Sequence, residues 1–171
     1  FKEKKVIVYA PTFRKNLDIS VEIDNLARQF DENEYIFVLK KHPHMNVDCK
    51  YGLVDQEFTT LEMLYAADYV VCDYSAVIYE AAILKKPLFF YTFDYDSYGV
   101  DRDFYIDYKA EMPGVMEANP EHLASAIKRG EYDLARVEAF AYKSVAKQTG
   151  CTRELGQFIL DSIERGKHAS R

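Results

Sequence analysis

The sequence predicts an α/β fold organised as a doubly wound parallel sheet. Three observations carry that expectation. Short apolar runs rich in β-branched and aromatic residues alternate with segments of helical periodicity, as parallel βαβ units do. At Cys72-Asp73-Tyr74-Ser75-Ala76-Val77-Ile78-Tyr79-Glu80 an apolar strand runs straight into a helix, with Asp and Ser at the junction. Finally, 171 residues, 49% hydrophobic and 29% charged, suffice for one domain with a sizeable core.

The elements follow in order. Val6 to Ala10 is a buried strand stopped by Pro11. Val21 to Phe30 carries Val21, Ile23, Leu26, Ala27 and Phe30 at helical spacing, with Ser20 as N-cap. Tyr35 to Leu39 is a second strand, and Gly52 to Val54 a short third. Thr60 to Ala67 is a helix; Tyr69 to Cys72 is a strand; Ala76 to Leu84 is the helix it feeds; Pro87 to Tyr91 is another strand. Thr92 to Ala110 is a long polar and aromatic loop, and loops of that length are commonly functional. Pro120 to Arg129 is a helix capped by Asn119, and Leu134 to Lys147 and Thr152 to Arg165 are terminal helices. Residues 1–171 thus form a single domain, in which 150–171 is a C-terminal helix with a tail frayed from Gly166. A start at Phe1 rather than Met reads as a piece of a longer protein.

A net charge of −6 argues against nucleic acid and against electrostatic docking on an anionic bilayer. Cys49, Cys72 and Cys151 form no CxxC pair, so neither a zinc knuckle nor a disulfide framework is expected; a reducing, cytoplasmic compartment fits. No GxGxxG, GxxxxGK[ST] or GxSxG motif occurs.

Chemistry is expected where strands end. A helix opening at the carboxyl end of a strand aims free N–H groups at the ligand crevice of an α/β sheet. Ser75 sits at such a place, as a phosphate cradle or as a plain N-cap. Lys40-Lys41-His42-Pro43-His44 follows another strand as a basic cluster. Pro43 holds His42 extended, so that its ring reaches over the sheet to a phosphate oxygen; the alternative is a solvated loop histidine. A metal pair with His44 lacks a third ligand. Arg14, after Thr12-Phe13, suits bidentate phosphate contact or is a surface cation. Glu80 either reaches ribose hydroxyls or lies on a helix surface. Asp94, Asp96, Asp101 and Arg102 are mostly solvated charges of the long loop.

These residues sit in motifs that resemble a known family. YAPTFR (Tyr9 to Arg14), KKHPH (Lys40 to His44), CDYSAVIYEAAILKKPLFFY (Cys72 to Tyr91), FDYDSYGVDRDFYIDY (Phe93 to Tyr108) and Pro113-Gly114 look like those of the CDP-glycerol glycerophosphotransferases, in the family's order, across roughly residues 5 to 165. The resemblance implies a Rossmann-like C-terminal half of a GT-B architecture. It implies transfer of glycerol phosphate from CDP-glycerol to an acceptor hydroxyl with release of CMP, in synthesis of teichoic acid or a related polymer, with no cofactor and no metal. His42 would be catalytic. Thr12, Arg14, His42, His44, Asp73, Ser75, Ala76, Glu80 and Arg102 would hold the donor. The family carries a second Ser where this sequence has Ala76, which leaves only a backbone N–H there. A polyolphosphate or glycolipid acceptor, a catalytic base and any membrane contact would belong to the N-terminal half or other absent parts, at the inner face of the bacterial cell membrane. Alternatives are a CDP-ribitol donor, another CMP-linked transferase such as a sialyltransferase, or a phosphate-binding module without turnover.

Overall fold

The computed structural model describes residues 4–169 apart from 16, 102–103 and 146–148. Six strands form one sheet: β1 (Lys5–Ala10), β2 (Tyr35–Lys40), β3 (Leu53–Asp55), β4 (Tyr69–Cys72), β5 (Leu88–Tyr91) and β6 (Val115–Glu117). Their order is β3-β2-β1-β4-β5-β6, and every pair is parallel. The chain winds outward from β1 to β3, then returns to the other side of β1 and winds outward again. The two halves therefore diverge between β1 and β4, and the carboxyl ends of those strands open the crevice where such sheets bind ligands.

Helices cover both faces. They are α1 (Ser20–Ala27), α2 (Thr60–Ala66), α3 (Val77–Ile83), α4 (Tyr95–Asp101), α5 (Tyr108–Glu111), α6 (Pro120–Arg129), α7 (Leu134–Ser144) and α8 (Cys151–Ala169). Alternation along each strand divides the core in two. Ile7, Tyr9, Phe37, Leu39, Val71 and Phe89 pack with Ile23 and Leu26 of α1 and Leu123 and Ile127 of α6. Val8, Val38, Val70, Cys72, Leu88 and Phe90 pack with α2, α3 and α7. Cys72 is fully buried, as an apolar strand position requires.

Four expectations need correction. Ser20 does not cap α1: it is the first helical residue, and its N–H and hydroxyl both donate to Asp18 Oδ1, at 2.8 and 2.6 Å. The stretch after β5 is not loop alone. It folds into α4 and α5, because Asp107 accepts the Ala110 N–H as an N-cap and the aromatic side chains find one another. Third, the terminal helices shift: α7 stops at Ser144, while α8 continues through Ala169 instead of fraying at Gly166. Finally, β6 was not anticipated. Its three residues carry no β-branched run, and it can approach β5 only because Gly114 precedes it; a Cβ there would sit 2.0 Å from the Leu88 carbonyl oxygen. No described helix is long and apolar enough to cross a membrane.

Candidate functional site

The carboxyl ends of β1 and β4 are tied together through Asp73. Its side chain is fully buried, so its charge must be met by protein donors. Thr12 N–H donates to both carboxylate oxygens at 2.8 and 3.0 Å, Thr12 Oγ1 donates to Oδ1 at 2.5 Å, and Tyr74 N–H adds a bond of 2.6 Å. Arg14 Nη1 donates to Oδ2. The same guanidinium grips Asp94 with Nε and Nη2, each at 3.0 Å. The guanidinium carbon lies 5.3 Å from the ring centroids of Tyr74 and Tyr98 and 5.6 Å from that of Phe93. Burial alone would lower the Arg14 pKa; Asp73 and Asp94 more than offset this and raise it, so Arg14 stays charged. Two carboxylates, one guanidinium and an aromatic sleeve thus pin α4 against the β1 and β4 termini.

Beside this clasp lies a cavity of about 250 Å³ at the ends of β1, β2 and β4. Lys40, Lys41, His42, Thr59, Thr60 and Ser75 line it, together with the prolines of the two loops. Lys40 Nζ donates to Asp55 Oδ2 at 2.7 Å and to the Phe58 carbonyl, which ties the end of β2 to the loop after β3. Burial raises the Asp55 carboxyl, but the Lys40 hydrogen bond and the N–H groups of Phe58 and Glu57 outweigh it, leaving its pKa below the usual carboxylate value. Thr59 closes a capping box with Glu62 at the start of α2. Ser75 Oγ takes the Val77 N–H at a long 3.4 Å, while Ala76 occupies the N-cap position of α3.

His42 has a defined orientation. The His44 N–H donates to His42 Nδ1 at 3.2 Å. A ring whose Nδ1 accepts carries its proton on Nε2 when neutral, so Nε2–H is the outward donor. Phe13 sits 5.6 Å from the His42 ring and 6.3 Å from that of His44. His44 is not a free outrider, since the two imidazoles stand 5.3 Å apart, yet only His42 lines the cavity.

The expected site residues therefore divide. His42 and Ser75 meet in one cavity. Thr12, Arg14 and Asp73 do not line it. They form the support beneath it, and the Arg14 side chain, only 6% exposed, is held by two carboxylates instead of standing free for phosphate. Ala76 lines a neighbouring cavity of about 280 Å³ with Tyr74, Phe104 and Tyr108. Glu80 is exposed on α3 and lines neither. Arg102 lies outside the described residues. Asp94, expected to be solvated, is 9% exposed and belongs to the clasp. Thr60 and the loop after β3 went unrecognised, although Thr59-Thr60-Leu61-Glu62 carries a capping-box signature that marks the start of α2. Among the described residues no group of three or more His, Cys, Asp or Glu side chains gathers as a metal site requires.

Comparison with known proteins follows the same line. A family model described as CDP-glycerol:poly(glycerophosphate) glycerophosphotransferase matches residues 1–155. The teichoic acid poly(ribitol-phosphate) polymerase of Bacillus spizizenii is 35% identical over 156 residues, covering 82% of this chain and 25% of that protein. The teichoic acid glycerol-phosphate transferase of Staphylococcus aureus is 32% identical over 170 residues, covering 91% and 43%. The solved structure of the wall teichoic acid polymerase TagF superposes with a TM-score of 0.75 at 26% identity, over 95% of this chain and 44% of that one. A variant of the same polymerase soaked with CDPG gives 0.72. The chain spans between a quarter and a half of the length of the curated relatives it matches.

Proposed function

The chain belongs to the CDP-glycerol:poly(glycerophosphate) glycerophosphotransferase family, and from that membership we propose that it is the donor-nucleotide-binding domain of a CDP-glycerol-dependent glycerophosphotransferase. Glycerol phosphate passes from CDP-glycerol to an acceptor hydroxyl and CMP leaves. The observation that carries the reading is the cavity in which His42 and Ser75, from the loops after β2 and β4, line one space at the divergence of the sheet.

The chemistry follows from where charge develops. Attack on the phosphorus next to glycerol shifts negative charge onto the CMP phosphate. Donors already in position lower that barrier without reorganising. His42 Nε2–H, held outward by the His44 N–H, donates to a diphosphate oxygen. The Ser75 hydroxyl, which lines the same cavity, supplies a further donor. The acceptor, a polyolphosphate or glycolipid, and the base that activates its hydroxyl belong to the remainder of the full-length enzyme, its N-terminal half, working at the inner face of the bacterial membrane. The clasp keeps its parts away from solvent and ligand, so its role is to hold the β4–α3 junction still.

A CDP-ribitol donor is the second reading, because the poly(ribitol-phosphate) polymerase, at 35%, exceeds the glycerol-phosphate transferase, at 32%. Calorimetry and thermal shift with CDP-glycerol, CDP-ribitol, CDP, UDP and ADP test both. Cytidine nucleotides raise the melting temperature most; a ligand at 100 times its Kd adds about 2.7 kcal/mol. Equal shifts for CDP, UDP and ADP, or none, refute the nucleotide assignment, and the stronger of the two CDP-polyols names the donor.

A further inference from the structure

Two adjacent lysines leave β2, and they face different fates. Lys40, the last residue of β2, is 14% exposed and bound to Asp55 and the Phe58 carbonyl. Lys41 is half-buried, lines the cavity with His42 and Ser75, and has no ion pair or hydrogen bond among the described residues. We propose that Lys41 is the cation that pairs with the donor diphosphate, an assignment that rests on the donor-binding reading above.

Charge balance around the cavity leads to this residue. Lys40 is neutralised by Asp55. Arg14 is held by Asp73 and Asp94 and does not line the cavity. The Thr59 hydroxyl is engaged with Glu62. His42 and Ser75 offer hydrogen-bond donors from their side chains. Among the described residues lining the cavity, Lys41 is then the one lysine or arginine not already matched by a carboxylate. A diphosphate brought there from water must exchange its hydration for protein partners, and hydroxyl and backbone donors alone leave its charge uncompensated. The Lys40–Asp55 pair acts as the fixed end of a hinge-free strut: by tying β2 to the loop after β3, it holds the next residue at the cavity wall. An ammonium on a flexible stem also suits a ligand whose charge moves from diphosphate to CMP during reaction, because it can follow the oxygen that gains charge.

The test titrates this chain with CDP, inorganic pyrophosphate and cytidine, for the native sequence, Lys41→Gln and Lys41→Arg. Loss of a charge-assisted contact weakens CDP and pyrophosphate roughly 10- to 100-fold in Lys41→Gln. Cytidine, which carries no phosphate, binds unchanged, and Lys41→Arg recovers most of the affinity. Raising salt weakens CDP binding in the native chain and much less in Lys41→Gln. That comparison, with the native chain's own salt dependence for CDP against cytidine, stands even if a variant folds poorly. Native-like CDP affinity in Lys41→Gln overturns the assignment of Lys41 while leaving the donor-binding reading intact. Equal loss of cytidine and CDP overturns it as well, since that marks a structural effect. Lys41-dependent pyrophosphate binding without preference for cytidine nucleotides keeps Lys41 as an anion contact and removes the nucleotide reading. No binding of either phosphate ligand by the native chain overturns both.

Discussion

Asp73 accepts from four donor groups and shows no side-chain surface to solvent, so its charge depends wholly on Thr12, Arg14 and Tyr74. Removing one partner of such a buried pair leaves the other uncompensated, at a cost of about 3–5 kcal/mol. Asp73→Asn and Arg14→Met are therefore each expected to lose about that much in urea unfolding, and the double variant clearly less than the sum. Additive losses would mean that the two side chains are not coupled. The histidines divide more simply. His42→Ala removes the Nε2 donor and weakens CDP binding about tenfold or more. His44→Ala keeps the backbone N–H that orients His42 and changes affinity little; calorimetry on both, with thermal melts to verify folding, reads the difference. The place of His42 and Ser75 after strands, legible in the sequence, is what puts both at one cavity. The sequence misleads at Arg14, because the residue that captures this guanidinium, Asp94, lies 80 positions away. Spacing alone cannot tell an arginine that meets a carboxylate from one that meets a ligand.

At the level of elements, the tie between β2 and the loop before α2 responds to acid. Asp55 titrates below its unfolded value. Its contribution to stability is complete above about pH 3.9, the unfolded carboxylate value, and is lost as pH falls through the lower folded value. In unfolding measured from pH 7 to 2, the native chain should lose stability below about pH 4 more steeply than Lys40→Met, which has already lost the pair. Parallel acid limbs would show that the Lys40–Asp55 contact contributes nothing. Strands and helices with strong periodicity were legible in the sequence, as was Asn119, which accepts the Glu121 and His122 N–H groups at the start of α6. What escaped was set by distant partners. β6 exists because Gly114 lets the chain pass against Leu88. α4 is held by Arg14 from across the sheet, and Tyr74 stacks on Tyr98 with ring centroids 3.9 Å apart. No local pattern in the Asp- and Tyr-rich segment encodes those contacts.

For the molecule as a whole, alternating strand and helix signals sufficed for the doubly wound class, and the order β3-β2-β1-β4-β5-β6 places the divergence beside the loops that had drawn attention. The strand count did not follow, since β6 is three residues long and its apolar content is ordinary. The same order has a consequence for the chain as it is made. β1 pairs with β2 on one side and β4 on the other. Its second partner is far downstream: Val6 N–H reaches Asp68 across 62 positions. At roughly 5–20 residues per second on a ribosome, those residues take about 3–12 s to appear. During that interval a strand carrying Ile7, Val8 and Tyr9 has one edge without a neighbour, open to pairing with another nascent chain. β2, β4 and β5 each find their second neighbour within a shorter stretch of chain, so the central place of β1 gives it the longest wait for its own, and the rate of translation across the segment between β2 and β4 bears directly on yield.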